Sequence, residues 1–143
     1  MGLTRSKNYK TALKTADTWF SRYIRVRDAD KNGFCRCITC NTIKHYKEID
    51  AGHFLSRQYM PTRFDERNVH AQCPKCNQYG SGEQYLHSLA IDRKYPEGTL
   101  DELLLKSRGL AKFNKVTLME LARLYNKKYI YECNTKGLPI DFK

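Results

Sequence analysis

At 143 residues the chain is sized for one domain, long enough for a modest core and short enough to gain from a metal staple. Lys and Arg outnumber Asp and Glu by 26 to 15, a net charge of +11, so the expected partner is a polyanion and nucleic acid above all, since each neutralised phosphate releases condensed counterions. No apolar run approaches a membrane span and residues 1–14 hold no signal core, which argues against a membrane protein and a secreted disulfide scaffold; the six cysteines are expected as thiolates in a reducing cytoplasm.

From about Lys7 to Arg27 the pattern predicts an amphipathic helix. Leu13, Ala16, Phe20, Tyr23 and Ile24 recur at three- and four-residue spacing, widened by Trp19 and Val26. Lys14, Thr18, Arg22 and Arg25 fall on the opposite face, either solvated or tracking DNA phosphates. The polar run 28–33 ends this helix in a turn.

Two knuckles follow, Cys37-Ile-Thr-Cys40 and Cys73-Pro-Lys-Cys76. Two residues between ligands let both sulfurs of a pair face one ion, so the four cysteines form the donor set of a closed tetrahedral structural Zn²⁺ site. A redox use of CxxC is disfavoured, because no βαβ pattern surrounds either pair. Cys35 reads as a spare thiol beside the site and Cys133 as a helix-buried or free one.

Between the knuckles, Glu48 to Leu55 predicts a short strand, with Ile49, Ala51, His53 and Leu55 on one face and Asp50, Gly52 and Phe54 on the other. A bulge at Gly52 would bring Asp50 and His53 into one pocket. Residues 56–66 form a loop, and Asn68 to Cys73 a second strand, with Val69 and Ala71 opposite Asn68, His70 and Gln72. The second knuckle leads into a short helix carrying Asn77. Strand, loop, strand and helix make a ββα unit able to hold a metal against a phosphate.

Beyond Tyr79 three capping boxes predict helix starts at Ser81, Thr99 and Thr117. The first helix turns Tyr85, Leu86, Leu89 and Ala90 inward and stops near Pro96. The second turns in Leu103 and Leu104 and stops at Gly109. The third turns in Leu118, Leu121, Ala122, Tyr125 and Tyr129 and closes at Gly137. The expected architecture is α+β and mostly α, one domain over 1–143, with an N-terminal helix in 1–34, a zinc-bound ββα core in 35–80 and a helical region in 81–143.

Hydrolysis of a phosphodiester needs an activated water, neutralised charge on phosphorus and help for the departing 3′ oxygen. His53 is the candidate general base, since a neutral imidazole accepts a proton at cellular pH. Asp50 and Asn77 offer oxygen ligands to Mg²⁺ or Mn²⁺, with water and the phosphate filling the remaining positions. Asn68 ties the loop to the first strand through backbone hydrogen bonds. His70 is ambiguous between a structural role and a phosphate contact, and His45 and His87 are surface or packing residues. Arg57, Arg63, Arg67 and Lys75 are the candidate DNA contacts. Taken alone, a histidine on a strand favours a core-facing residue, or a zinc ligand replacing one cysteine; Asp50 three residues before it and Asn77 after the closing CxxC favour catalysis.

The CxxC knuckle, the Asp-Ala-Gly-His element at 50–53 and the run from Arg63 to Asn77 (RFDERNVHAQCPKCN) resemble the NinG/Rap phage recombination nucleases, a branch of the HNH or His-Me finger superfamily. The likeness extends from about Ser6 to Tyr131. It implies a structure-specific endonuclease acting on D-loops and Holliday junctions in the host cytoplasm, with recombination proteins as further partners and a homodimer as one way to cut two strands. It also implies that His53 is the general base, Asn68 the middle asparagine and Asn77 the metal position on the helix. The last histidine of the HNH pattern is Asn77 here, and the residue before the base is Gly52, so Asp50 is the remaining carboxylate. Two further readings stand beside it: a zinc-stabilised DNA-binding module without catalysis, and a sequence-specific homing or restriction nuclease.

Overall fold

The computed structural model describes residues 2–142, and side chains from residue 8 onward. The chain is mostly helical α+β with two small two-stranded sheets. Helix α1 (Gly2–Arg27) starts earlier than the pattern from Lys7 suggests. Its apolar stripe, Ala12, Ala16, Phe20, Tyr23 and Ile24, packs against α5 (Lys115–Lys136) through Leu118, Ala122, Tyr125 and Tyr129. The small residues at 12, 16 and 122 let the helices approach, and farther along Phe20 meets Tyr125 edge to face at 4.7 Å. This pair is the platform on which the rest is mounted.

The end of α1 is pinned to the sheet by charge. Arg27 donates to the carbonyls of Glu66 and Val69, each at 2.8 Å, while the buried Asp28 carboxylate accepts from the Ala71 N–H at 2.8 Å. Burial opposes ionisation of Asp28, but the paired Arg27 guanidinium and the Ala71 N–H outweigh it and hold its carboxyl below the usual range.

The first sheet, β1 (Phe34–Arg36) against β2 (Ile43–His45), was not expected from the sequence. Each strand is three residues long, too short for an alternating pattern to show. The second sheet pairs β3 (Asp50–His53) with β4 (Val69–Gln72) antiparallel, shorter at both ends than predicted. Between them lies α2 (Met60–Arg63).

The register is regular through Gly52, which faces His70, so the expected bulge is absent. The glycine is required for another reason: a Cβ there would lie 2.0 Å from Gln72 Oε1 and 2.8 Å from Gln72 Cβ. Gln72 is fully buried and donates to the Gly82 carbonyl at 2.8 Å, so it has little room to move. Gly52→Ala is therefore expected to cost about 1–3 kcal/mol by overpacking, read as a thermal midpoint lower by about 5 °C; an unchanged midpoint would show that Gln72 relocates freely.

The cap expectations need correction. Gln84 rather than Ser81 opens α3 (Gln84–Lys94), and Glu83, its flanking residue, is left-handed with no side-chain cap. Helix α4 (Thr99–Ser107) follows Gly98, also left-handed and uncapped. The true capping box is Asn114 with Thr117, so Thr117 is the third helical residue of α5 rather than its cap. On α3 the buried residues are His87, Ala90 and Ile91, while Tyr85 is 74% exposed and Leu86 41%. A histidine takes the core place because it has a buried partner, His70. The inward residues of α5 are as expected, and Leu103 and Leu104 of α4 pack as predicted.

Candidate metal centre and active site

Cys37, Cys40, Cys73 and Cys76 bring their sulfurs within 4.8 Å of one another. The Cys40 and Cys73 sulfurs are 3.7 Å apart, close to the edge of about 3.8 Å that a tetrahedron with metal–sulfur bonds of about 2.3 Å requires. These four cysteines can hold a metal such as zinc. Donors stand around them: the Cys73 N–H lies 3.3 Å from Cys37 Sγ, and the Thr39 hydroxyl is 3.4 Å from the same sulfur. Burial raises the Cys37 thiol, but hydrogen bonds from Thr39 and the Cys73 and Cys40 N–H groups outweigh it and bring it down to about 6. Cys35 and Cys133 are buried elsewhere, Cys35 with its sulfur 3.2 Å from the Arg25 carbonyl.

The second knuckle does more than supply two sulfur donors. Its chain continues into a five-residue π-helical turn, Lys75–Tyr79, in place of the expected short α-helix. The Asn77 N–H donates to the Cys73 carbonyl at 2.9 Å, and the Gly82 N–H to the Cys76 carbonyl at 2.9 Å. Asn77 follows directly after a cysteine of the cluster, so an ion held there also sets where its carboxamide lies.

A cavity of about 540 Å³ opens beside this turn, lined among others by Asp50, His53, Asn77, Gln78, Arg25 and Arg57. It brings together the three residues expected to carry chemistry. Strand alternation should have kept Asp50 and His53 apart, yet they share the cavity without a bulge. β3 is one of only two strands in its sheet, and the cavity lies between it, α1 and the π-helical turn. From there the first and last residues of the strand both reach it.

His53 is held in one orientation. Its Nε2 lies 3.0 Å from the Arg63 carbonyl oxygen, and its ring is 6.4 Å from that of Phe20. A carbonyl can only accept, so Nε2 carries the proton and Nδ1 is the basic nitrogen. Burial pushes the imidazolium form down, to a pKa of about 4, so the ring is neutral at pH 7.

Opposite it, the Asp50 carboxylate accepts from Asn77 Nδ2 at 3.0 Å and from Gln78 Nε2 at 2.8 Å. One carboxylate and two carboxamides converge, and either amide turned end for end presents oxygen. This donor set suits a hard divalent cation that keeps most of its water. Gln78 was not anticipated; Arg25, expected on the basic face of α1, reaches the cavity with its Nη1 donating to the Ile49 carbonyl at 3.3 Å and its guanidinium 4.2 Å from the Phe142 ring.

The remaining expected residues are placed as follows. Asn68 is fully buried outside the cavity; its amide donates to the Leu55 and Thr62 carbonyls and its oxygen accepts from the Leu55 N–H. It clamps the loop, as the sequence suggested, and does not line the cavity where the resemblance would have placed it. His70 is buried too, with Nδ1 3.0 Å from His87 Nε2 and Nε2 2.8 Å from the Tyr95 hydroxyl, which makes it part of the core.

Two of the four proposed DNA contacts are committed elsewhere. Arg63 forms a bidentate pair with Asp17 of α1, at 2.5 and 3.0 Å, and donates to the Arg57 carbonyl. Arg67 pairs with Asp65 and Glu102, and Lys106 joins the same Asp65 carboxylate. Arg57 lines the cavity and is 61% exposed, 3.7 Å from Asp17. Lys75 is exposed on the π-helical turn but does not line the cavity. Arg63 acquires a different part: its guanidinium anchors the end of α2, and the carbonyl of the same residue fixes His53. Should the cavity cut DNA, Asp17→Asn is expected to weaken that anchor and lower turnover about tenfold with no loss of affinity for DNA, since it also removes a negative charge from the cavity wall; a parallel loss of affinity would contradict this.

Among the described residues no helix is long and apolar enough to cross a membrane. A family profile described as "NinG: Bacteriophage Lambda NinG protein" matches residues 3–136. Curated relatives each named "Protein ninG" come from Escherichia phage 933W and Salmonella phage P22, each 34% identical over 102 residues, and from Escherichia phage lambda, 33% identical over 102 residues. In each case the match covers 66% of this chain and 48% of the relative, so the chain spans about half the length of the curated relatives it matches. No solved structure matches.

Proposed function

The chain belongs to the NinG family of phage proteins, and on that premise we propose that it is a metal-dependent, structure-specific DNA endonuclease of the HNH or His-Me finger kind, acting on branched recombination intermediates such as D-loops and Holliday junctions. In this reading β3, β4 and the turn at 75–79 are the ββα-metal unit, with the NinG/Rap likeness supplying the substrate class. The observation that carries it is the single cavity in which a neutral imidazole, locked by a backbone carbonyl, meets an acidic and amide oxygen donor set.

The residues divide the reaction between them. His53 Nδ1 takes a proton from water as the water oxygen bonds to phosphorus, and the P–O3′ bond breaks with its electron pair leaving on the 3′ oxygen. The imidazolium formed keeps its Nε2–H on the Arg63 carbonyl, which steadies the charge where it develops. Asp50 and Asn77, with Gln78 beside them, would hold Mg²⁺ or Mn²⁺. When bound, that ion supplies Lewis-acid neutralisation of the phosphate and of the departing oxygen. Arg57 and Arg25 line the same cavity and hold the non-bridging phosphate charge. The cysteine cluster takes no part in the chemistry and holds Asn77 in place.

The test is a labelled four-way junction incubated with the zinc-loaded protein and Mg²⁺. Cleavage of junctions of unrelated sequence at comparable rates is expected. Binding without any cut would defeat the enzyme reading in favour of a DNA-binding module, and cutting confined to one sequence would favour a homing or restriction nuclease.

A further inference from the structure

A second groove, of about 600 Å³, runs along α1 and is continuous with the catalytic cavity: Asp17, Ser21, Arg25 and Arg57 line both. Six cations line it against one carboxylate. That carboxylate, Asp17, is already taken by the bidentate Arg63 pair, so the groove presents positive charge along its length. Lys10 and Lys14 at its far end are exposed, and among the described residues no carboxylate lies within ion-pair distance of either. Arg22 lies over Trp19, 4.8 Å from the ring centroid, and its guanidinium lines the groove.

The spacing has a length scale. Lys10, Lys14, Asp17, Ser21 and Arg25 recur at three and four residues, one stripe of α1, on the side away from the apolar stripe that packs on α5. From Lys10 to Arg25 the helix rises about 22 Å at about 1.5 Å per residue, long enough to meet several consecutive phosphates of one strand.

We propose that this groove is the DNA-backbone track of the protein: one strand lies along α1, its phosphates on Lys10 and Lys14 and then on Arg22, and enters the cavity past Arg57. It rests on the nuclease reading for what happens at the end of the track, but not for the binding itself. A second basic cleft, lined by Arg36, Arg93 and Lys94, shares no residue with the cavity, which makes it a matched control for charge alone.

The experiment is fluorescence anisotropy of the full zinc-loaded chain with a labelled four-way junction, with no Mg²⁺ or Mn²⁺ added, over a series of salt concentrations. Lys10→Ala/Lys14→Ala removes two phosphate contacts and is expected to weaken binding about tenfold and to make the salt slope shallower by about 2. Arg93→Ala/Lys94→Ala removes the same charge and is expected to stay within about twofold of the wild type. Lys10→Glu/Lys14→Glu should lose more than the alanine pair, and the thermal midpoint of each variant verifies that the fold is intact. Equal losses in the two alanine pairs would reduce the effect to net charge and overturn the proposal, as would wild-type binding by the Lys10/Lys14 pair. A wild-type protein that follows this pattern but never cuts would refute the nuclease reading and leave the track in place.

Discussion

Cys73→Ser is expected to abolish zinc binding and to unfold the segment from Cys35 to Tyr79. The four sulfurs lie within 4.8 Å of one another and three of the four cysteines are buried, so they are stable together as thiolates only around a cation. Structural zinc contributes on the order of 10–16 kcal/mol in small finger peptides, as much as the whole stability of a typical domain, about 5–15 kcal/mol. Cys73 follows β4 directly and its carbonyl accepts the Asn77 N–H, so losing the ion at its sulfur loosens both the strand end and the π-helical turn. A zinc content well below one per chain and a thermal midpoint lower by about 10 °C or more are expected. A serine variant that keeps both its zinc and its midpoint would refute the four-cysteine assignment. Zinc removal by a chelator should reproduce the variant, and Cys35→Ser should not, because that sulfur lies against the Arg25 carbonyl outside the cluster.

His53→Ala is expected to lower junction cleavage by a factor on the order of 10²–10⁴, the usual worth of a positioned general base, while DNA binding stays near that of the wild type. The side chain makes one hydrogen bond, to the Arg63 carbonyl, and Arg63 is independently anchored by Asp17, so the fold should survive. Loss of folding on this change would point to a structural histidine instead. Acid should have a particular signature. Burial holds the folded pKa at about 4, below the ordinary 6.5, so the base form persists as pH falls from 7 to 5. Cleavage limited by this group is therefore lost only as pH approaches 4. The same shift makes His53 favour folding fully above about pH 6.5, and that contribution falls as pH drops toward 4, because the unfolded chain binds the proton first. Burial moves His70 and His87 the same way, to about 3 and about 4, so the thermal midpoint should decline across that window.

How much of this was legible in the sequence depended on how local each signal is. The cysteine spacing showed the metal cluster, because both pairs are set by two intervening residues. The apolar periods of α1 and α5 showed their packing faces. His53, Asp50 and Asn77 were found by type and position, although through a bulge at Gly52 that is absent. The long-range arginine pairs were not legible: Arg63 meets Asp17 from 46 positions away and Arg67 meets Glu102 from 35, although Asp65, two residues before Arg67, is a local partner. For His87 the sequence does not choose between surface and packing for the same reason: its buried partner, His70, lies on a different element. The box at Thr99 marks the start of α4 correctly, but those at Ser81 and Thr117 misplace their helix starts. Ser81 and Glu83 are forced into left-handed backbone by the tight exit from the second knuckle, and a residue in that conformation cannot serve as an ordinary cap.

The claim at the centre is that an imidazole nitrogen and an oxygen donor set face one phosphate. Anomalous scattering from Mn²⁺ in crystals of the His53→Ala chain bound to a four-way junction reads this most directly, since the variant holds the DNA uncut. The ion should appear between the oxygens of residues 50 and 77, at about 2.1–2.2 Å from them, with a backbone phosphate bridging from the ion toward position 53. Manganese found only elsewhere, with every phosphate distant from those oxygens, would contradict the account.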